Sequence, residues 1–447
     1  MKINLKSNHI KIISVICSLL IPLMVTGPFL PDLIISILSI WFLYFSINQQ
    51  FLNKNYFNKF IKKKYLNIYF YFFMSFCFVC ILSSLISDDI SKSLKSSLFY
   101  FRIGILALLI SFLIDKHKKI LDYFYLSFIV TFSILIVDGY FQHISGTNFF
   151  GYKMSGIRVS SIFGDELILG SYLSRLFPLF FAIFVIRKNK KPIEIYLVSL
   201  LFIFIDVLIF ITGERAAFFL LNLSTVFIVL FISKYKYLRA SLFVISLIIV
   251  GFLNSTNEHL YFRYIELPLQ SMGLEHIFKN QTTTDSIKTT DSIKTTDSIK
   301  KQNSEKFYWF SKGHDSVLRT GFNMFLNKPI LGQGPKLFRI HCDDKRFSEG
   351  VSPCKNHPHN FYIQLLAETG IIGFLFLFGL LIHFLFIVIK HSIFSIFFNK
   401  KLLTDYQICL LAGLLITIWP LVPSGSFFNN QLMLFYGLQM GFFRKKI

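Results

Sequence analysis

The chain is 447 residues long, 54% hydrophobic and 18% aromatic, with a mean hydropathy of +0.58 and apolar runs too long for a soluble core. Its formal charge of +22 sits in short basic clusters between those runs. That spacing is the signature of cytoplasmic connections between membrane spans, and it excludes a nucleic-acid-binding role.

Apolar windows near 10–25, 29–47, 66–86, 96–114 and 120–137 open the chain. The first resembles a signal peptide, but no small-residue cleavage site follows it, so it is read as a retained span. Windows at 167–186, 193–212, 216–232 and 240–253 follow, then 361–389, 406–422 and 428–443. The fold expected is an all-α polytopic membrane protein of about 12 helices, with a long insertion between spans 9 and 10. Its sections are 1–137 (spans 1–5), 138–253 (spans 6–9), 254–359 (the insertion) and 360–447 (spans 10–12).

Lys and Arg crowd alternate connections, such as Lys54, Lys59, Lys62, Lys63 and Lys64. The short connections of the opposite set hold only Lys92, Lys95, Lys153, Arg158 and Arg215. This asymmetry places both termini in the cytoplasm and the insertion in the periplasm of a bacterial inner membrane. Within the insertion, residues 283–300 are three copies of Thr-Thr-Asp-Ser-Ile-Lys, polar and charge-balanced, expected to be a disordered linker. Cys342 and Cys354 fall in the same oxidising compartment, where a disulfide is compatible with their placement.

The stretch from His357-Pro-His359-Asn360 through Gly370 and Gly373 opens the tenth span. Asn360, Gln364 and Glu368 are spaced four apart and form one polar stripe on an apolar helix. At about 1.5 Å per residue, that helix outruns the ~30 Å hydrocarbon layer, which puts His359 at the outer membrane surface. A helix N-terminus there disfavours imidazolium and leaves His359 able to accept a proton.

These residues resemble the signature of the O-antigen ligase and polymerase family, in which a His-Asn pair heads a helix and a Glu-x-Gly-x-x-Gly-like run follows. The resemblance extends to Arg319 through Gly334, with Pro329, Gly332 and Gly334, and to Thr212-Gly-Glu-Arg215. A weaker echo is Arg158 through Gly164, following Asp138 through Gln142. It implies a membrane glycosyltransferase that uses no cofactor or metal. It would move an O-antigen-like glycan from undecaprenyl pyrophosphate to a lipid A core hydroxyl, with inversion. His359 would be the general base, and Arg215 and Arg319 the pyrophosphate ligands. Arg158, His357, Asn360 and Glu368 would support them.

Taken without the resemblance, Arg215 also fits a snorkelling anchor, Glu368 a buried structural hydrogen bond, and Asn360 a residue orienting His359 or a substrate hydroxyl. His357-x-His359 with the two cysteines could suggest zinc, but the spacing fits no tight ligand pair. A polymerase of the same family shares every motif. A lipid-linked glycan flippase would need polar residues deep in several spans, and Asp206 and Glu368 are nearly all there is.

Overall fold

The computed structural model describes residues 7–52, 65–188, 190–274, 308 and 310–443. The 283–300 repeat lies outside the described residues, as does the rest of 275–307. Among those described, every regular element is helical; only two isolated β-bridges, Thr147 with Lys153 and Ser155 with Arg158, depart from this.

In chain order the helices are α1 Ser7–Ser18, α2 Leu20–Leu23, α3 Phe29–Leu52, α4 Ile68–Leu85, α5 Ile90–Ser97 and α6 Arg102–Lys116. There follow α7 Ile120–Ser145, α8 Leu169–Ile186, α9 Pro192–Ile211, α10 Arg215–Phe231, α11 Lys236–Thr256, α12 Glu258–Tyr261 and α13 Leu267–Met272. The last are α14 Lys312–Asn327, α15 Phe338–His341, α16 Phe361–Phe397, α17 Asp405–Thr417 and α18 Asn430–Phe442. Each of the twelve apolar windows coincides with a helix. Eight candidate spans are long and apolar enough to cross a membrane, while Asn8–Leu23, Arg215–Phe231 and Asp405–Thr417 are apolar but shorter.

The axis of the bundle is α8, 89% of whose residues are buried, and its mean hydropathy of 1.8 is below the 2.1 of α7 and the 2.5 of α9. It packs against α17, itself buried throughout, and against α10. Around this centre α1 packs on α7, α18 on α6 and α4 on α16, so N-terminal and C-terminal spans share one core. Phenylalanines fill this interior: Phe128, Phe132, Phe177, Phe180, Phe181, Phe184 and Phe202 are fully buried. Their rings meet edge-to-face, as Phe180 and Phe202 do at 5.5 Å, which suits the aromatic quadrupole.

Arg239 is wholly buried and donates two hydrogen bonds to Asp206, at 2.7 and 3.0 Å, and a third to Thr225 at 2.7 Å. Ser246 completes the carboxylate's partners at 3.2 Å. The pair neutralises two charges that the apolar interior would not tolerate singly, and it ties α9, α10 and α11 together.

Candidate active site

The Glu368-x-Gly370-x-x-Gly373 and Gly332-x-Gly334 segments, separate in sequence, form one structural unit. Gly370 adopts φ 64° and ψ −166° in the middle of α16, a conformation closed to residues with a Cβ, and the helix breaks there. The break frees backbone groups at membrane depth, and the 329–334 loop satisfies them. Gln333 N donates to Ala367 O and Gly334 N to Glu368 O, both at 2.9 Å, and Ile371 N donates to Pro329 O at 2.8 Å. Ser83 of α4 adds hydrogen bonds to Leu331 O and Glu368 O. The Glu368 carboxylate accepts from the backbone of Lys336 and of Phe338, and from Gln364 Nε2 at 2.9 Å. Glu368 therefore holds a loop in place, the structural of its two expected roles.

Above this kink, the loop between α17 and α18 fastens the head of α16. Tyr362 donates to Ile418 O, Asn360 Nδ2 to Pro420 O, Ser424 N to His359 O, and Phe427 N to Gln364 Oε1. Asn360 caps the helix, its Oδ1 accepting from Tyr362 N and Ile363 N. His359 precedes the cap with φ 56°, a left-handed conformation that costs a non-glycine residue about 1–3 kcal/mol and is stored at functional sites. The Asn360 cap and the bond from Ser424 hold it there.

Three imidazoles adjoin. The rings of His357 and His359 lie 4.2 Å apart, and His314, near the start of α14, lies 5.5 Å from His359. Gly321 permits the close approach, since a Cβ there would lie 2.7 Å from Ile363 of α16. Burial lowers the pKa of all three rings, that of His357 to about 4. Neighbouring cations reinforce it: Lys355 acts on His359, Arg339 on His357 and Arg215 on His314. The imidazoles are neutral at neutral pH and free to accept a proton.

On the Arg215 flank, guanidinium groups gather around Gly213. A Cβ on that glycine would sit 3.4 Å from Arg158 Cγ and 3.7 Å from Arg263 Nε, while Arg215 begins α10 two residues later. Arg263 Nε donates to Gly213 O at 3.0 Å and Arg158 Nη2 to Leu167 O at 3.0 Å. The loop carrying Arg158 is held by α7, where Gln142 Oε1 accepts from Ser160 N and Ser161 N and Asp138 from Phe149 N. Glu214 caps α8, accepting from Gly170 N at 2.7 Å and Ser171 N at 3.1 Å, and its charge still acts on Arg158 and Arg263. Among the described residues no carboxylate forms an ion pair with Arg158, Arg215 or Arg263, and Arg158 Nε is buried without a partner. Burial, with Arg215 and Arg158 beside it, pulls Arg263 below its ordinary pKa. Three crowded cations in half-buried surroundings could hold an anion.

Arg319 is not brought to this cluster. Its guanidinium bonds Asp315 at 2.8 Å and Glu349 at 3.1 Å on an exposed face of α14. Sequence reasoning missed three residues here: Arg263, His314 and Ser424. Ser311-x-x-His314 has the pattern of a helix cap, and Arg263 follows a span within Tyr-Phe-Arg-Tyr; Ser424 has no local signal. Cys342 and Cys354 are joined by a disulfide that staples the chain between α15 and the histidines.

Residues 197–378 match the family model described as O-antigen ligase. This stretch is an O-antigen ligase family domain. A search of the curated proteins returns no match. The O-antigen ligase segment takes in Arg215, Arg263, the three histidines, Glu368 and Gly370. Arg158 and Ser424 reach the same site from outside it.

Proposed function

We propose that this protein transfers an O-antigen-like glycan from undecaprenyl pyrophosphate to a lipid A core hydroxyl at the periplasmic face of the inner membrane, with both termini in the cytoplasm. The observation that supports this reading is that His314, in the cluster of neutral imidazoles, lies in the field of Arg215, one of three arginines that form no ion pair with a carboxylate among the described residues. A carrier diphosphate supplies the missing anion, and its lipid tail confines it to the headgroup level where such a cluster is useful.

In the proposed reaction the acceptor hydroxyl loses its proton to His359 as its oxygen attacks the anomeric carbon. The bond from that carbon to the diphosphate oxygen breaks, and the electron pair leaves with the polyprenyl diphosphate. Arg215, with Arg158 and Arg263, stabilises that developing charge. The pyrophosphate role expected of Arg319 passes to Arg158 and Arg263, because Arg319 is engaged by two carboxylates. Attack opposite the leaving group inverts the anomeric centre, and no covalent sugar–enzyme intermediate forms.

The test is transfer by the purified chain in vesicles holding a carrier-linked glycan and lipid A core. His359→Ala should lower the rate by about 10² to 10⁴ while the protein stays folded. Wild-type rates in that variant, or retention of configuration in the product, would remove the mechanism. A polymerase of the same family differs in its acceptor, a second carrier-linked glycan. Envelope glycolipids from a strain lacking the protein separate the two: a ligase leaves polymer on the carrier, whereas loss of a polymerase leaves single units on lipid A.

A further inference from the structure

The proposed reaction uses one imidazole as a base, yet the site holds a second beside it, on a different helix. His314 lies with its ring 5.5 Å from His359 and feels the charge of Arg215. Its ring is anchored locally. Ser311 Oγ accepts the backbone N–H of His314 at 3.2 Å and lies 2.8 Å from the ring Nδ1. The hydroxyl, with one hydrogen and a second lone pair, can pair with Nδ1 in either neutral tautomer, and imidazolium carries a proton on Nε2 as well. Among the described residues Nε2 has no protein partner.

The groups facing His314 are all neutral or positive. His359 comes from the head of α16, Arg215 from the head of α10 and the Phe310 ring from the preceding turn, 5.9 Å away. On its own helix, the neighbouring Asp315 is paired with Arg319. No carboxylate forms an ion pair with His314 among the described residues.

We propose that His314 is a proton-linked ligand of the donor's diphosphate: neutral while the site is empty, it takes up a proton when the two phosphates settle beside Arg215. This rests on the diphosphate reading above. In the empty site, burial and cations disfavour imidazolium. Two phosphate charges arriving at Arg215 reverse the sign of the local potential, and imidazolium then adds a further charge-assisted hydrogen bond through Nε2. The proton comes from water on donor binding and returns to it when the polyprenyl diphosphate leaves. Donor capture thus strengthens as pH falls, while His359 needs to stay unprotonated; two imidazoles 5.5 Å apart divide those tasks.

The test uses the full chain in detergent and a short-chain polyprenyl diphosphate bearing one sugar, whose phosphates are diesters and keep constant charge across the neutral range. Binding is measured by calorimetry from about pH 6 to about pH 8, in buffers of differing ionisation enthalpy to count protons. Wild type should take up a proton and lose up to about tenfold in affinity per pH unit as pH rises. His314→Arg should bind tightly with no pH slope, His314→Gln should bind weakly with none, and His359→Gln should keep the slope. A wild-type slope in both His314 variants overturns the inference while leaving the diphosphate reading intact. Unchanged binding in Arg215→Ala overturns the diphosphate reading itself.

Discussion

Replacing Gly370 by alanine tests whether the kink in α16 and the 329–334 loop are a single unit. A Cβ at that position would lie 2.3 Å from Ile330 O, 2.4 Å from Ile330 C and 2.6 Å from Leu331 N, all backbone atoms that no rotamer change can move. The left-handed φ adds about 1–3 kcal/mol of strain. Shifting the loop to relieve the clash breaks the bond from Ile371 N to Pro329 O, and a buried backbone group left unpaired costs about 1–3 kcal/mol. Together these give roughly 2–6 kcal/mol, or a fall of about 2–6 °C in melting temperature for a chain of this length. Cys17, Cys77, Cys80 and Cys409 are free and buried, so a thiol-reactive dye reports unfolding of the purified protein on heating. Gly379, on the same helix with nothing within 4 Å of its would-be Cβ, is the control, and alanine there should be neutral or slightly stabilising. A Gly370→Ala protein melting within a degree or so of wild type, or a Gly379→Ala protein falling as far, would refute the coupling.

Two further outcomes concern the chemistry. Because burial lowers the His359 pKa, the ring remains a competent base below the ordinary imidazole value of about 6.5, so the acid limb of kcat/KM for transfer should have its midpoint below that value. A midpoint above it would contradict the environment described for this ring. Arg215→Ala should cut kcat/KM by about 10- to 100-fold through lost charge-assisted bonds, whereas Arg319→Ala should transfer at close to the wild-type rate; the reverse ranking would return Arg319 to the site.

Much of the bundle is legible in the sequence because uninterrupted apolar runs have few alternatives in a bilayer. Which helix lies at the centre is not: the eight candidate spans among the described residues are all strongly apolar, and packing decides which of them is enclosed. Seven phenylalanines of α7, α8 and α9 fill that interior. At the site, His359 and Asn360 are visible because they stand where an apolar helix begins, and Arg215 because it starts another. Arg263 sits on a short turn and His314 in the first turn of α14, and where each lies depends on what its element packs against. Arg319 misleads because a guanidinium near a glycine-rich segment suggests phosphate, although Asp315 four residues before it already signalled a helical ion pair. The two glycine motifs were each readable as a turn or a packing contact, and their joining across the kink needs the tertiary structure.

The buried pairing of Arg239 with Asp206 bears on how the chain enters the membrane. A lone charged side chain within the apolar part of an inserting helix is costly, so Asp206 of α9 is neutralised only once Arg239, at the start of α11, has followed it. The two are separated by α10, which contributes Thr225 to the same network. The segment from Pro192 to Thr256 is therefore best delivered to the bilayer as a three-helix packet, and a nascent chain halted after α10 would present Asp206 unpaired to quality control.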